Sequence, residues 1–301
     1  IVSQRLHHSY APSYIGETRI PDALLRAMTS GKKTTGPVEG SLCTMTGYES
    51  DSPQPEVEDK SICVYLRQDI RGSIFTELQL VILTFCTGMQ DATTFPDYHC
   101  FASNQTGNTV FLCLALILPQ LNGEMFFTPN IGMALGLFLG AGWLTGQLSH
   151  IIGPRKRWWL ILCNLVQSSF VLGAAAIQYQ YGVKSQGPQA LAVIGLLAFA
   201  AGSQVVQSRS LSMTEISTAM ATAAWVDLMI DQKLFVLKNR PRTRRIAFLL
   251  ALVVGTLVGA AIYREVGSAT AIVVSGAGKL LVTILYFFSP AEKAKKEKSP
   301  A

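Results

Sequence analysis

Long apolar segments alternate with short polar loops along residues 74–290 of the chain. A helix needs roughly 20 mostly apolar residues to cross a membrane, and six segments meet that requirement. They cover residues 74–95, 131–150, 158–178, 189–207, 246–263 and 268–288. Two further apolar segments, 108–121 and 216–230, are short or partly polar, which is typical of helices that enter a membrane and return. The pattern predicts an all-α polytopic membrane protein.

An internal repeat relates the two halves of this region. Leu83, Phe85, Gly88 and Gln90 recur at the same spacing as Leu197, Phe199, Gly202 and Gln204. A glycine pattern that begins at Gly142 recurs from Gly255, at nearly the same offset of about 114 residues. The chain therefore contains two repeats, over about 74–180 and about 189–290. Each repeat holds one long helix, one short helix and two more long helices.

The basic residues help to choose between two topologies. If both short helices return, six spans form inverted repeats, and the basic loops 153–157 and 231–245 share one side with both termini. The opposite loops then keep only Lys184 and Arg264, as the positive-inside rule requires of outer loops. If both short helices span, there are eight spans and the loop 153–157 lies outside. The charges favour six spans plus two short helices, with both termini cytoplasmic, and eight spans stay the alternative.

Composition separates the helical region from two tails. Residues 1–73 are polar and lack the apolar periodicity that offsets ordering entropy, so they are predicted to be a disordered N-terminal tail. Residues 291–301 form a basic C-terminal tail. The net charge of +6 arises largely in loops between apolar segments, so it indicates orientation in a lipid bilayer and not nucleic-acid binding. The sequence indicates neither a cofactor nor a metal site, and it leaves the oligomeric state open.

Candidate chemistry concentrates after the first apolar segment. Asp91 lies near the end of the first helix, and an ionisable residue at membrane depth is a functional candidate, although a capping role at the interface is equally compatible. Asn104, Thr106, Gly107 and Asn108 open the first short helix. Free N–H groups at a helix start suit an anion or a polar substrate. The alternative is that these residues only cap the helix.

These motifs carry a family resemblance. Gly88, Asp91 and Ala92, followed by Asn104, Thr106, Gly107 and Asn108 before an apolar run, resemble the DUF1275 (YoaK-like, UPF0700) membrane proteins, in a fungal-type form. The resemblance covers about residues 70–290 and implies a multi-span membrane protein without an assigned activity. Family members often keep a Thr-Gly-Thr-like motif in the second half. Residues 214–219 read TEISTA here, without the glycine, which puts a symmetric two-fold site in doubt.

The second repeat contributes its own polar candidates. Gln204 and Glu215 lie on or near its interrupted region, and Glu215 has the alternative of a first-turn helix acid. Lys279 is near the middle of the last apolar segment, where its ammonium group cannot easily reach water. A charged lysine there is expected to pair with a carboxylate, for which Asp91, Glu215 and Asp227 are the candidates. A merely structural pair, or a wet crevice, is the alternative.

Two further features concern lipid and packing. The basic run Lys238, Arg240, Arg242, Arg244 and Arg245 is expected to contact anionic lipid headgroups, or only to fix orientation. The glycines of two segments are expected to allow close helix packing. They are Gly136, Gly140, Gly142, Gly146, Gly255 and Gly259.

The sequence favours a transporter or permease for a small polar or anionic solute, since inverted repeats with interrupted helices are a transporter plan. A non-transporting membrane scaffold or assembly factor is the alternative, and an intramembrane enzyme ranks lowest. The full sequence contains none of the hydrolase, zinc-protease or phosphate-loop motifs GxSxG, HExxH and GxxxxGK[ST]. The transporter hypothesis expects Asp91, Asn108 and Lys279 to meet around one cavity at mid-depth.

Overall fold

The computed structural model describes residues 62–236 and 238–292, which form nine α-helices and one short 3₁₀ turn. The helices are α1 (Ile62–Arg67), α2 (Ile74–Tyr98), α3 (Gln105–Ile117), α4 (Thr128–Ile152), α5 (Arg157–Tyr181), α6 (Pro188–Ser210), α7 (Ala221–Met229), α8 (Arg240–Glu265) and α9 (Ser268–Phe287). Most of the predicted N-terminal tail, 1–61, and residues 293–301 of the basic C-terminal tail lie outside the described residues.

Six of these helices have 20 to 26 residues, and the prediction of an all-α polytopic fold is confirmed. Five of the six, α4, α5, α6, α8 and α9, are long and apolar enough to cross a membrane. The sixth, α2, is equally long but carries Glu77, Asp91 and Asp97. Its polar character is accommodated because α2 packs against α6, α8 and α9.

Local sequence signals set where the long helices begin and end. The Ser73 side chain caps α2 by accepting the backbone N–H of Thr76 at 3.3 Å. Pro96 lies in the last turn of α2, and His99 ends the helix in a left-handed conformation with φ of 53°. Proline, which needs no hydrogen-bond partner for its nitrogen, lies in the first turn of three others. These are Pro129 in α4, Pro188 in α6 and Pro241 in α8.

Contacts at the helix ends decide the topology. At one end, the Ile70 N–H donates to Arg155 and the Arg71 N–H to Pro290, at 2.9 and 3.0 Å. At the other end, the Asn130 amide donates to the Tyr98 and Ser185 carbonyls, both at 2.9 Å. The end of α2 and the start of α4 therefore lie together, so α3 does not cross the bundle.

The second short helix behaves in the same way. Arg155, in the α4–α5 loop, donates to the Ser210 carbonyl at the end of α6, at 3.2 Å. Arg244, in the first turns of α8, pairs with Glu77 at the start of α2, at 2.7 Å. The end of α6 and the start of α8 therefore share one end of the bundle, and α7 returns to it. Besides α1, the described residues form six long helices and the two short helices α3 and α7, which both return to the end where they start. These contacts contradict the eight-span alternative.

The helix pairs repeat with an approximate two-fold symmetry. The inner helices α2, α5, α6 and α9 pack against one another, while α8 packs on α2 and α4 packs on α6. Each short helix packs on the long helix that follows it, α3 on α4 and α7 on α8. When each helix of a pair is replaced by its counterpart in the other repeat, the result is another of these pairs; the pair of α8 with α2, for example, becomes the pair of α4 with α6. The symmetry follows from the internal repeat and matches the inverted-repeat prediction.

Glycines permit close contact of α8 with α2 and of α6 with α4. A side chain at Gly255 of α8 would overlap the carbonyl of Phe85 in α2, and one at Gly202 of α6 would overlap the carbonyl of Phe138 in α4. The prediction of a close-packing glycine face is therefore confirmed at Gly255, and also at Gly259. It is wrong at a second group of predicted positions, where a methyl group would meet no atom of the described chain within 4 Å. These are Gly136, Gly140 and Gly146.

Two apolar clusters fill the bundle. One includes Ile131, Ile194 and Leu197 and lies toward the end formed by the α2–α3, α5–α6 and α8–α9 connections. The other includes Leu80 and Phe248 and lies toward the opposite end. Polar side chains of α2, α5, α6 and α9 are buried between the clusters. The fold therefore places polar groups at mid-depth.

Substitution of Gly255 tests the close contact of α8 with α2. We expect Gly255→Ala to lower the melting temperature of the purified protein in detergent, because the methyl group forces two backbones apart at a cost of about 1–3 kcal/mol. Gly140→Ala is the matched control, since nothing lies within 4 Å of the added methyl group. Equal melting temperatures of the Gly255→Ala and Gly140→Ala proteins would contradict this packing.

Candidate functional site

A buried lysine occupies the centre of the bundle. Lys279 is 1% exposed, eight residues from the end of α9 and so about 12 Å along the helix axis. Its ammonium group donates to the Gln204 side-chain oxygen of α6 and, at 3.5 Å, to that of Gln167 in α5. Lys279 therefore joins three inner helices at a depth that water cannot easily reach.

Neighbouring side chains fix both glutamines. The Gln204 amide nitrogen donates to the Thr87 hydroxyl of α2 at 2.9 Å, which brings in the fourth inner helix. The Gln167 nitrogen donates to Ser203 at 3.1 Å and to Gln207 at 3.0 Å. These donors orient the amide oxygens toward Lys279. We call this group, Thr87, Gln167, Ser203, Gln204, Gln207 and Lys279, the central polar layer.

The partner of Lys279 differs from the prediction. The ion pairs of the described residues do not include Lys279, so the expected carboxylate partner is wrong there. Asp91 binds Ser103, Glu215 pairs with Arg244, and Asp227 pairs with Arg245. The physical reason is position, because the first of these acids serves a helix connection and the other two lie at one end of the bundle.

Further amide and hydroxyl groups extend the buried polarity. The Asn164 nitrogen donates to the Lys279 carbonyl and to Thr283, both at 2.8 Å, and so ties α5 to α9. Gln90 donates to Ser275 at 2.7 Å and ties α2 to α9. Polar side chains inside an apolar segment are the sequence signal that points to Asn164 and Gln167, but this signal does not show which residues they pair with. Gln207 and Ser275 were missed.

Asp91 and Asn108 shape the connection from α2 to α3. The Asp91 carboxylate accepts the Ser103 backbone N–H at 3.0 Å and also the Ser103 hydroxyl. The Asn108 side chain is fully buried, accepts the Phe101 N–H at 2.9 Å and donates to the Phe101 carbonyl at 2.8 Å. It also donates to Gln105 at 2.9 Å. Both residues therefore brace the segment 99–104 in this conformation.

The other predicted residues of this motif surround the start of α3. Asn104 is exposed and caps the helix by accepting the Gly107 N–H at 3.4 Å. Thr106 is also exposed, whereas a side chain at Gly107 would press on the Phe101 ring at 3.1 Å. The second short helix lacks an equivalent, because Met220 stands at its cap position and its side chain makes no capping hydrogen bond. The two helix starts are therefore not equivalent.

Ion pairs dominate one end of the bundle, here called the basic end. It carries the α4–α5 loop, residues 211–236 and 238–239, and the end of α9. Arg244 contacts Glu77 at 2.7 Å and Glu215 at 3.3 Å, and Arg240 contacts Glu77 at 3.0 Å. Arg242 donates to the Leu234 carbonyl. Of the predicted lipid-headgroup contacts, most are thus engaged within the protein, and Lys238 is exposed.

Asp231 organises the loop before α8. The Lys233 backbone N–H and the Asn239 side chain donate to its carboxylate at 2.8 and 2.9 Å, and Arg245 lies at 3.7 Å. These groups lower the pKa of Asp231 below its ordinary value. The resulting stabilisation of the loop is present above the ordinary carboxyl pKa and is lost as the pH falls through the lowered one.

The structure brings together only part of the predicted set. Lys279 and Gln204 meet in the central polar layer, while Asp91 and Asn108 meet around the segment 99–104. Among the described residues, no hydrogen bond or ion pair joins these two groups, and Glu215 lies with Arg244 at the basic end. The site therefore consists of a buried cation and a separate, carboxylate-bound helix connection.

Comparison with known proteins identifies the family only. The family model described as "Protein of unknown function (DUF1275)" matches residues 79–285. No curated protein matches the chain. No solved structure matches it either. The match extends across both repeats and includes the whole central polar layer.

Two Asn-to-Asp substitutions in one motif test the bracing role of Asn108. In Asn108→Asp an oxygen replaces the nitrogen that donates to the Phe101 carbonyl, so two acceptors face each other in a buried position. We expect a clear drop in melting temperature, corresponding to about 1–3 kcal/mol or more.

Asn104→Asp is the control, because an exposed aspartate is as good a helix cap as asparagine. Its melting temperature is expected to stay within a few degrees of the original chain. Equal effects of the two substitutions, measured by thermal unfolding in detergent, would contradict the assignment.

Proposed function

The chain belongs to the DUF1275 family of membrane proteins, whose description assigns no activity, and we propose that it is a permease for a small anionic solute. One observation carries the proposal. Lys279 is buried in the bundle, and its ammonium group is held by amide oxygens without a contacting carboxylate among the described residues. A buried charge without a counter-charge is costly, and an anion that visits the central polar layer would supply one.

The position of Lys279 supports the same proposal. Transporters with inverted repeats bind substrate near mid-depth, at the interface between the repeats. The central polar layer joins α2 and α5 of the first repeat to α6 and α9 of the second. Movement of one repeat against the other would therefore open and close access to Lys279. Amide side chains can reorient toward a solute because they donate and accept hydrogen bonds.

Asp91 is the coupling element in this scheme. Its carboxylate accepts two hydrogen bonds from Ser103, in the segment that leads into α3. Protonation removes the negative charge that these donors stabilise, which would loosen the segment 99–104. The exposed side chains of Asn104 and Thr106 lie on the same segment and at the start of α3, so they would meet a solute as the segment moves.

Flux through reconstituted vesicles tests the permease. The probes are chloride, inorganic phosphate, acetate and an uncharged polyol. We expect uptake of at least one anion, a loss of more than tenfold in Lys279→Gln, and no loss in Lys184→Gln, whose lysine is exposed in a loop. Lys279→Gln should melt no lower than the original chain, because the glutamine amide still donates to the amide oxygens of the layer while the costly buried charge is removed. Asp91→Asn should abolish stimulation by a pH gradient while the protein still inserts.

Undiminished anion flux in Lys279→Gln would overturn the role of Lys279, and pH-driven flux in Asp91→Asn would overturn that of Asp91. A panel without any flux would favour the scaffold alternative. The observation that favours a scaffold is the set of ion pairs at the basic end, where Arg244 holds Glu77 and Glu215 together. Such a rigid end suits a fixed platform for partners.

The charge distribution supports an orientation with the basic end in the cytoplasm. Arg155, Lys156 and the basic residues of 238–245 lie there, whereas only Lys184 and Arg264 of the described lysines and arginines lie at the opposite end. We therefore expect an impermeant maleimide to label Lys184→Cys in intact cells or sealed organelles. Lys233→Cys should be labelled only after permeabilisation, with the unsubstituted chain as background. The reverse pattern would contradict this orientation.

A further inference from the structure

A groove lies at the basic end between α1 and the corner that joins α4 to α5. It has a volume of about 530 Å³. Its walls include Leu66 and Arg67 of α1, and Ile151, Ile152, Lys156 and Trp158 of the corner. A space of this size matches the range of about 300–1,000 Å³ that is typical of sites for small organic ligands. The groove is remote from the central polar layer.

The α1 wall of the groove is held in place by a buried arginine. Arg157 is 1% exposed and donates to the Tyr65 hydroxyl at 2.8 Å, and its guanidinium group lies 3.9 Å from the centre of the Tyr65 ring. The Tyr65 hydroxyl in turn donates to the Phe287 carbonyl at the end of α9. These contacts attach a helix of only six residues to the bundle. The groove is therefore a formed feature of the protein.

Two positive charges at the groove lack an acidic partner. Arg67 and Lys156 appear in no ion pair of the described residues. By contrast, neighbouring Arg155 contacts Glu292 at 3.5 Å, and Arg244 and Arg245 each contact two acids. Arg67 and Lys156 line the groove, so they place two such unpaired cations within reach of an anion bound there.

The remaining walls include apolar side chains at the adjoining ends of α4 and α5, two helices that are long and apolar enough to cross a membrane. Ile151 is 82% exposed in the last turn of α4, where a soluble anion would give it no partner. Trp158 lies in the first turn of α5, and tryptophan is enriched at the level of lipid headgroups. The groove thus combines cations, which suit an anionic headgroup, with an apolar wall, which suits the acyl chain of the same lipid.

We propose that this groove binds an anionic phospholipid, with its phosphate between Arg67 and Lys156 and one acyl chain along Ile151, Ile152 and Trp158. The two free charges select an anionic headgroup over a zwitterionic one, because each basic residue near the surface strengthens anionic-lipid binding by about fivefold. The apolar wall selects a lipid over free phosphate. The groove anchors the corner between α4 and α5 to the cytoplasmic leaflet in the proposed orientation.

Tryptophan quenching tests the lipid site in vesicles that contain the full chain. Phosphatidylglycerol or phosphatidylcholine with brominated acyl chains is added at equal mole fraction to a phosphatidylcholine background. Phosphatidylglycerol is expected to quench more strongly, and the difference should disappear in Trp158→Phe. In Arg67→Gln/Lys156→Gln the preference should fall by about tenfold or more.

Lys233→Gln/Lys238→Gln is the matched control, because it removes two exposed charges from the same end of the bundle outside the groove. It should keep the preference for phosphatidylglycerol. Equal quenching by both lipids, or a preference that survives in Arg67→Gln/Lys156→Gln, would overturn the proposal. An equal loss in both double variants would assign the effect to surface charge, and displacement by inorganic phosphate would assign it to a free anion; both results would overturn it too.

Discussion

The ammonium group of Lys279 must find hydrogen-bond acceptors inside the bundle, because lipid cannot solvate it. Gln204 and Gln167 supply these acceptors, and their own amide nitrogens are held by Thr87, Ser203 and Gln207. This chain of bonds requires α2, α5, α6 and α9 to lie side by side at one depth. The arrangement of the inner helices and the candidate solute site therefore have one physical cause.

Other buried polar residues serve the architecture more directly. Asp91 and Asn108 satisfy backbone groups in the segment 99–104, which would otherwise be unpaired at membrane depth. At the basic end, Arg157 donates hydrogen bonds to two backbone carbonyls in the last turn of α9, where the helix dipole also favours a cation. A buried polar residue in a membrane protein can therefore serve a functional site or supply a hydrogen bond to a backbone group. Only the partner of the side chain distinguishes the two roles.

The sequence predicted the helices well because each long segment needs about 20 apolar residues to cross a membrane. It also predicted the depth of Lys279, which follows from its place near the middle of α9. It could not predict the glutamine partners, since these depend on pairing between helices more than 70 residues apart. The helix α1 gave no signal because six residues are too few to show periodicity, and its attachment rests on Tyr65.

Helices of one repeat pack mainly on helices of the other, and this has a consequence for how the chain assembles. Almost every neighbour of α2 belongs to the second repeat, with α6, α8 and α9 on its surface. During synthesis α2 is the first of the long helices to leave the ribosome, and its partners α8 and α9 are the last. Until then Glu77 lacks its ion-pair partners Arg240 and Arg244. An insertion machinery or chaperone that shelters α2 in the meantime would suit this order of synthesis, since neither half can complete its own interior.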